Sequence, residues 1–126
     1  QRLKQELYRQ REQYLTEMLS RVRVELIGFT QGSEYPAYLV KKAAELAKSC
    51  PNQGDIALRL RREDLQYAEE IKEAYGDCRI QADDTIAIGG IRLEDRAHGA
   101  IQDETLDAAL QSQRDWFYRN SNFYLE

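Results

Sequence analysis

Asp84-Thr85-Ile86-Ala87-Ile88-Gly89-Gly90-Ile91-Arg92-Leu93 decides the fold, together with three segments downstream of it: Arg96-Ala97-His98-Gly99, Ala100-Ile101-Gln102 and Asp103-Glu104-Thr105-Leu106-Asp107. Thr85 to Leu93 reads as the longest strand of the chain, interrupted by a glycine pair. Glycine inside a strand marks a bulge or the close approach of another backbone. Gly89 and Gly90 therefore carry two readings: a bulge that bends the strand, or a docking surface. His98-Gly99 predicts a turn, and Ala100 to Gln102 a strand pairing back as a hairpin. Asp103 is expected to cap a last helix, on which Leu106, Leu110, Gln113 and Phe117 share one stripe.

Upstream of this stretch, residues 1–27 contain no Gly and no Pro and are rich in good helix formers. Leu3, Leu7, Tyr14, Met18 and Val22 recur along them at spacings of four, seven, four and four. A strict heptad from Leu3 would place Gln10, Glu17 and Arg21 on the seam. An eleven-residue repeat pairs Leu3 with Tyr14 and Leu7 with Met18, and such a repeat favours a right-handed or nearly straight helix pair. The expectation is a helical arm that pairs with another helix and meets a globular domain near Met18. Gly28 and Gly32 predict a break, with Ser33 as the next helix cap and Pro36 in the first turn. On that helix Leu39, Ala43, Leu46 and Cys50 fall on one face. Asp55 to Arg61 alternates as a half-buried strand, residues 63–75 return to helical spacing, and Cys78-Arg79-Ile80 is a short strand. The expected fold is α+β: a helical arm (residues 1–27), then a small domain (residues 28–126) with a three- to four-stranded sheet covered by helices.

Composition narrows the function. The chain has 126 residues and a formal net charge of −4. An acidic chain is a poor general binder of nucleic acid, which needs a basic face for phosphates. The charge is uneven: residues 1–25 carry six basic and four acidic groups, residues 83–126 four basic and nine acidic. A basic partner surface would be attracted to the acidic end. No apolar run is long enough to span a bilayer, and no signal peptide is visible. Cys50 and Cys78 match no metal spacing and are expected to be reduced and buried in a cytosolic protein. The start at Gln-Arg-Leu-Lys is read as that of a fragment, its missing part upstream.

Reactive groups do not converge. The single histidine, His98, falls in a predicted turn with no metal-ligand spacing around it. Asp83-Asp84 is an adjacent carboxylate pair whose members point different ways in an extended chain. A metal-dependent enzyme built on Asp83, Asp84 and His98 is the minor alternative. Gly89-Gly90 is no phosphate loop, because the pattern around it is neither GxGxxG nor GxxxxGK[ST]. Trp116, Phe117, Tyr118, Phe123 and Tyr124 form a C-terminal aromatic cluster of core or interface residues. No cofactor, metal ligand or catalytic residue is expected.

Taken in order, Asp55-Ile56-Ala57-Leu58, Asp84 to Ile91, Gly99-Ala100-Ile101, Asp103 to Asp107 and the Gln113 to Phe117 helix resemble the E subunit of vacuolar/archaeal-type rotary ATPases in its bacterial form. The resemblance covers essentially the whole chain. It implies a non-catalytic peripheral-stalk (stator) subunit in a complex that couples proton or sodium transport to ATP synthesis or hydrolysis. Its partners would be the G subunit (also called H), paired along Leu3, Leu7, Tyr14, Met18 and Val22, and the B subunit of the catalytic head. Gly89, Gly90, Asp103, Thr105, Trp116 and Phe117 would contribute to head docking. The subunit would be cytoplasmic and peripheral to the membrane, without inserting, and the isolated chain could self-associate through its arm. A stator-like regulator of flagellar or type III secretion ATPases is the alternative. Its arm tends to carry GxxxG repeats, which residues 1–27 lack.

Overall fold

The computed structural model describes residues 2–51 and 54–121. It opens with α1 (Arg2–Thr30) and α2 (Tyr35–Ser49). Next come strand β1 (Ile56–Leu60), a 3-10 turn (Arg62–Tyr67), α3 (Ala68–Tyr75) and β2 (Arg79–Ala82). The hairpin β3 (Gly90–Asp95) and β4 (Ala100–Thr105) leads into α4 (Leu106–Ser121). The four strands form one mixed sheet in the order β2-β1-β3-β4. β1 pairs with β2 in parallel and with β3 antiparallel, and β3 pairs antiparallel with β4. The fold is the α+β arrangement expected: a long N-terminal helix, then a sheet domain.

Period-two alternation gives the sheet one apolar face. Leu58 stands opposite Leu93 on one side and Ile80 on the other. Leu58, Leu60, Ile91 and Leu93 are buried in one core with Tyr35, Leu39, Ala43 and Leu46 of α2 and Ile71 and Tyr75 of α3. The other face pairs arginine with carboxylate. Arg59 stands opposite Arg92, and the like charges are separated by acids: Arg59 bonds Glu94 at 3.0 Å and Arg92 bonds Asp83 at 2.8 Å.

Four local expectations are corrected. Residues 84–89 are turns and bends, and the strand begins at Gly90. Ile86 and Ile88 are buried with Ala87 exposed between them, which mimics strand alternation. Their backbone has no strand to pair with, because β1 ends at Leu60, whose carbonyl accepts the Asp83 N–H. Asp103 lies within β4 and is not the helix cap. Thr105 performs that role, its hydroxyl accepting the Ala108 N–H at 3.0 Å. α1 continues through Gly28 to Thr30, since tertiary contacts outweigh the propensity cost of one glycine. Ser33 does not cap α2; Glu34 precedes the first turn, without a side-chain bond.

Candidate docking surfaces

Two regions hold the residues singled out from the sequence: the junction where β3, β4 and α4 meet, and the face shared by α1 and α4.

At the junction, two Asp-x-Thr motifs are built alike. Asp83 Oδ1 accepts the N–H and hydroxyl of Thr85 at 2.9 and 2.6 Å. Asp103 Oδ1 accepts the same groups of Thr105 at 3.0 and 2.6 Å. Arg92 lies between the motifs and donates to the second oxygen of each, 2.8 Å to Asp83 and 3.2 Å to Asp103. The threonine bonds hold the Asp83 carboxyl below the usual range despite burial, and Arg92 adds to the effect. Burial opposes ionisation of Asp103, yet the Thr105 and Arg92 bonds outweigh it and its pKa is also lowered.

In the first turn of α4, Asp107 receives the backbone N–H groups of Ala87 at 2.8 Å, Ile88 at 3.0 Å and Gly89 at 3.2 Å. A carboxylate in the first turn of a helix also suits its dipole. The Leu106 N–H reaches back to the Gly89 carbonyl at 2.9 Å. The box Asp103-x-Thr105-x-Asp107 thus has three internal duties: bracing a threonine, capping α4, and pinning the loop before β3.

The glycine pair is buried in this junction. Gly90 has φ +94°, and a Cβ there would lie 2.7 Å from Thr105 Cα and 2.9 Å from the Glu104 carbonyl oxygen. A Cβ on Gly89 would collide with the Tyr35 hydroxyl. Neither glycine sits inside a strand as a bulge; both permit the close approach of other groups. With Thr105 also buried, Gly89, Gly90 and Thr105 shape the surface and present no side chain to a partner.

Beneath them lies a polar group that sequence reasoning missed. Tyr35 donates to Asp64 Oδ2 at 2.6 Å, and Arg61 bonds the other oxygen at 2.8 Å. Asp64 is 1% exposed. Burial, then the bond to Asp64, pushes the Tyr35 hydroxyl well above its ordinary pKa. The available signal was Arg61-x-x-Asp64, a spacing that brings the two side chains together in a helical turn. Asp83 and Asp84 part company: Asp83 is buried among arginines, and Asp84 pairs with exposed Arg62. His98 faces Asp95 at 2.8 Å. Among the described residues, no group of three His, Cys, Asp or Glu side chains is placed to hold a metal ion. Cys50 and Cys78 are free thiols, Cys78 buried and raised in pKa by that burial.

The second region is the two-helix layer. α4 runs antiparallel to α1: Ala109 and Leu110 lie beside Val22 and Leu26, and Tyr118 donates to Glu12 at 2.6 Å. Leu15, outside the predicted seam, is buried. At about 100° per residue, Leu3, Leu7 and Tyr14 fall within about 40° of one another, while Met18 and Val22 lie about 60° and 100° round from Leu3. The expected seam therefore drifts across the helix surface. Its C-terminal end, Met18 and Val22, is half-buried along α4. Its N-terminal end is open, with Leu3 73%, Leu7 43% and Tyr14 65% exposed.

On the open side of the two helices, Met18, Val22 and Leu26 face Ala109, Gln113 and Phe117 across a mainly apolar groove of about 280 Å³. Trp116 packs edge-to-face on Phe117 with centroids 5.1 Å apart and is half exposed. Of the Leu106, Leu110, Gln113, Phe117 stripe, Leu106 is buried in the sheet core, and Leu110, Gln113 and Phe117 lie toward α1. Phe123 and Tyr124 of the predicted aromatic cluster lie outside the described residues. Among the described residues no helix is long and apolar enough to cross a membrane. No protein-family model matches the chain, and no curated protein matches it.

Proposed function

We propose that the chain serves as a peripheral-stalk subunit of a rotary ATPase, of the E type of vacuolar/archaeal enzymes. One observation carries the reading. A 29-residue helix with an open apolar stripe at its N-terminal end runs directly into a small, tightly tied α+β cap. A stator must resist torque, so it needs a stiff lever and a cap that does not shear from it. The lever here is braced by α4, and α4 is fixed to the sheet through Thr105 and Asp107. The ordered resemblance of residues 55–58, 84–91, 99–101, 103–107 and 113–117 supports the same assignment.

In this reading the subunit is cytoplasmic, bound to the membrane only through its complex. A G-type subunit supplies the helix that covers Leu3, Leu7 and Tyr14, and the cap seats on a B-type subunit of the head. Co-expression with G-type and B-type subunits of the same organism tests it. Copurification with the G-type subunit, and of that pair with the B-type subunit, is expected. Absence of both complexes would sink the assignment.

A further inference from the structure

We infer that a second cavity between α1 and α4, on the side of their contact away from Phe117, binds a small phosphate ester between Arg23 and Arg114. The cavity is about 340 Å³, and each helix contributes one of the two arginines. At about 100° per residue, Arg23 lies about 180° round α1 from Tyr14. The site is therefore independent of the exposed Leu3, Leu7 and Tyr14 stripe, and of the stator reading.

The charge is local and uncompensated. No carboxylate lines the cavity. Among the described residues, Arg23 makes no ion pair or hydrogen bond, and Arg114 pairs with no acid. The arginines of the sheet face differ: Arg59, Arg61, Arg92 and Arg96 each hold a carboxylate. Arg114 stacks over the Tyr118 ring, 5.5 Å from its centroid. That ring is fixed in turn by the Tyr118–Glu12 bond. A guanidinium laid on a ring keeps its N–H edge for an anion.

The donors select the ligand. Two like charges at one cavity repel each other, and a dianion between them turns that repulsion into attraction. Guanidinium groups bind phosphate bidentately. The Thr16 and Ser20 hydroxyls also line the cavity. They make no hydrogen bond among the described residues, so both can donate to further phosphate oxygens. Leu19 and Leu110 add apolar surface for an organic body, and the volume is that of a small-molecule pocket. A long polyanion is disfavoured, because acids border the site. Glu12 holds Tyr118, and Asp115 holds Gln111 at 3.1 Å.

The test is amide NMR of the whole ¹⁵N-labelled chain, titrated with inorganic phosphate, phenyl phosphate and, at matched ionic strength, sodium chloride. Saturable shifts are expected at Ser20, Arg23, Gln111 and Arg114 with both phosphates, and not with chloride. Phenyl phosphate should bind about threefold or more tighter, through Leu19 and Leu110. Arg23→Gln and Arg114→Gln should each weaken binding about tenfold. Arg21→Gln, outside the cavity, should change it less than about twofold. All three arginines are solvent-exposed, so circular dichroism of the variants should match the parent. No saturable shift up to about 10 mM phenyl phosphate overturns the inference. So do shifts matched by chloride, or an equal loss in Arg21→Gln, which would show a diffuse field. Equal affinity for the two phosphates overturns the ester. A response to phosphatidylglycerol vesicles without one to phenyl phosphate overturns the small ligand in favour of a membrane.

Discussion

The Tyr35 hydroxyl accepts the backbone N–H of Gly90 at 2.9 Å, tying the first turn of α2 to the first residue of β3. The same oxygen donates its proton to Asp64. One phenol thus links three segments of the core, and all three groups are buried. Tyr35→Phe removes the partner of the Gly90 N–H and one partner of a buried carboxylate. An unmade buried hydrogen bond costs about 1–3 kcal/mol. The expected loss is in that range, read from urea midpoints at unchanged m-value.

Two glycines separate strain from collision. Gly76 has φ +113° with nothing within 4 Å of a built Cβ, whereas Gly90 has φ +94° and meets the backbone of residues 104–106. Gly76→Ala should cost about 1–2 kcal/mol from backbone strain alone. Gly90→Ala should cost at least about 2 kcal/mol more, since the α4 start must also move. Equal destabilisation of the two variants in thermal melts would mean that close approach plays no part at Gly90.

Asp107→Asn tests the pin on the loop before β3. Asparagine keeps one oxygen but cannot accept N–H groups on both sides of a charged carboxylate. Amide exchange at Ala87, Ile88 and Gly89 should accelerate, while protection in the centre of β1 stays near the parent value. Thr105→Ala should cost about 1 kcal/mol as a lost helix cap, and Asp103→Ala should leave the cap bond itself in place.

Stability should fall on the acid side. Asp83, Asp103 and Glu94 all have depressed pKa values in the fold. Groups with depressed folded values stabilise fully above their unfolded values, about 3.9 for Asp and 4.3 for Glu, and lose that contribution as pH falls through the folded values. The unfolding midpoint should be flat from neutrality to about pH 5 and drop below about pH 4. Asp83→Asn should lower the plateau and flatten the drop. A midpoint unchanged down to about pH 3 would remove the arginine–carboxylate face from the account of stability.

Much of the fold was legible because it rests on periodicity. The α1 stripe, the Ile56-Leu58-Leu60 alternation, the Tyr67 to Tyr75 spacing and the turn at His98-Gly99 are local patterns, and each element forms where its pattern lies. The failures share a cause. Ile86 and Ile88 alternate like a strand, but the Ile86 N–H turns to the Asp83 carbonyl and the Ile88 N–H to the carboxylate of Asp107, a residue far along the chain. Asp103 and Thr105 are both good caps, and the extent of β3 chose between them: Gly90 pairs with Thr105, so β4 must run that far.

The residues by themselves determined a long helix and a mixed helix-and-strand domain, since these come from propensity and spacing. Tertiary structure decided what the glycine pair is for, where the last helix begins, and that α4 turns back along α1 beside Met18 and Val22 at the C-terminal end of its seam. Those outcomes depend on which distant group fills a given space or satisfies a given N–H, and one strand of sequence does not encode that by period alone.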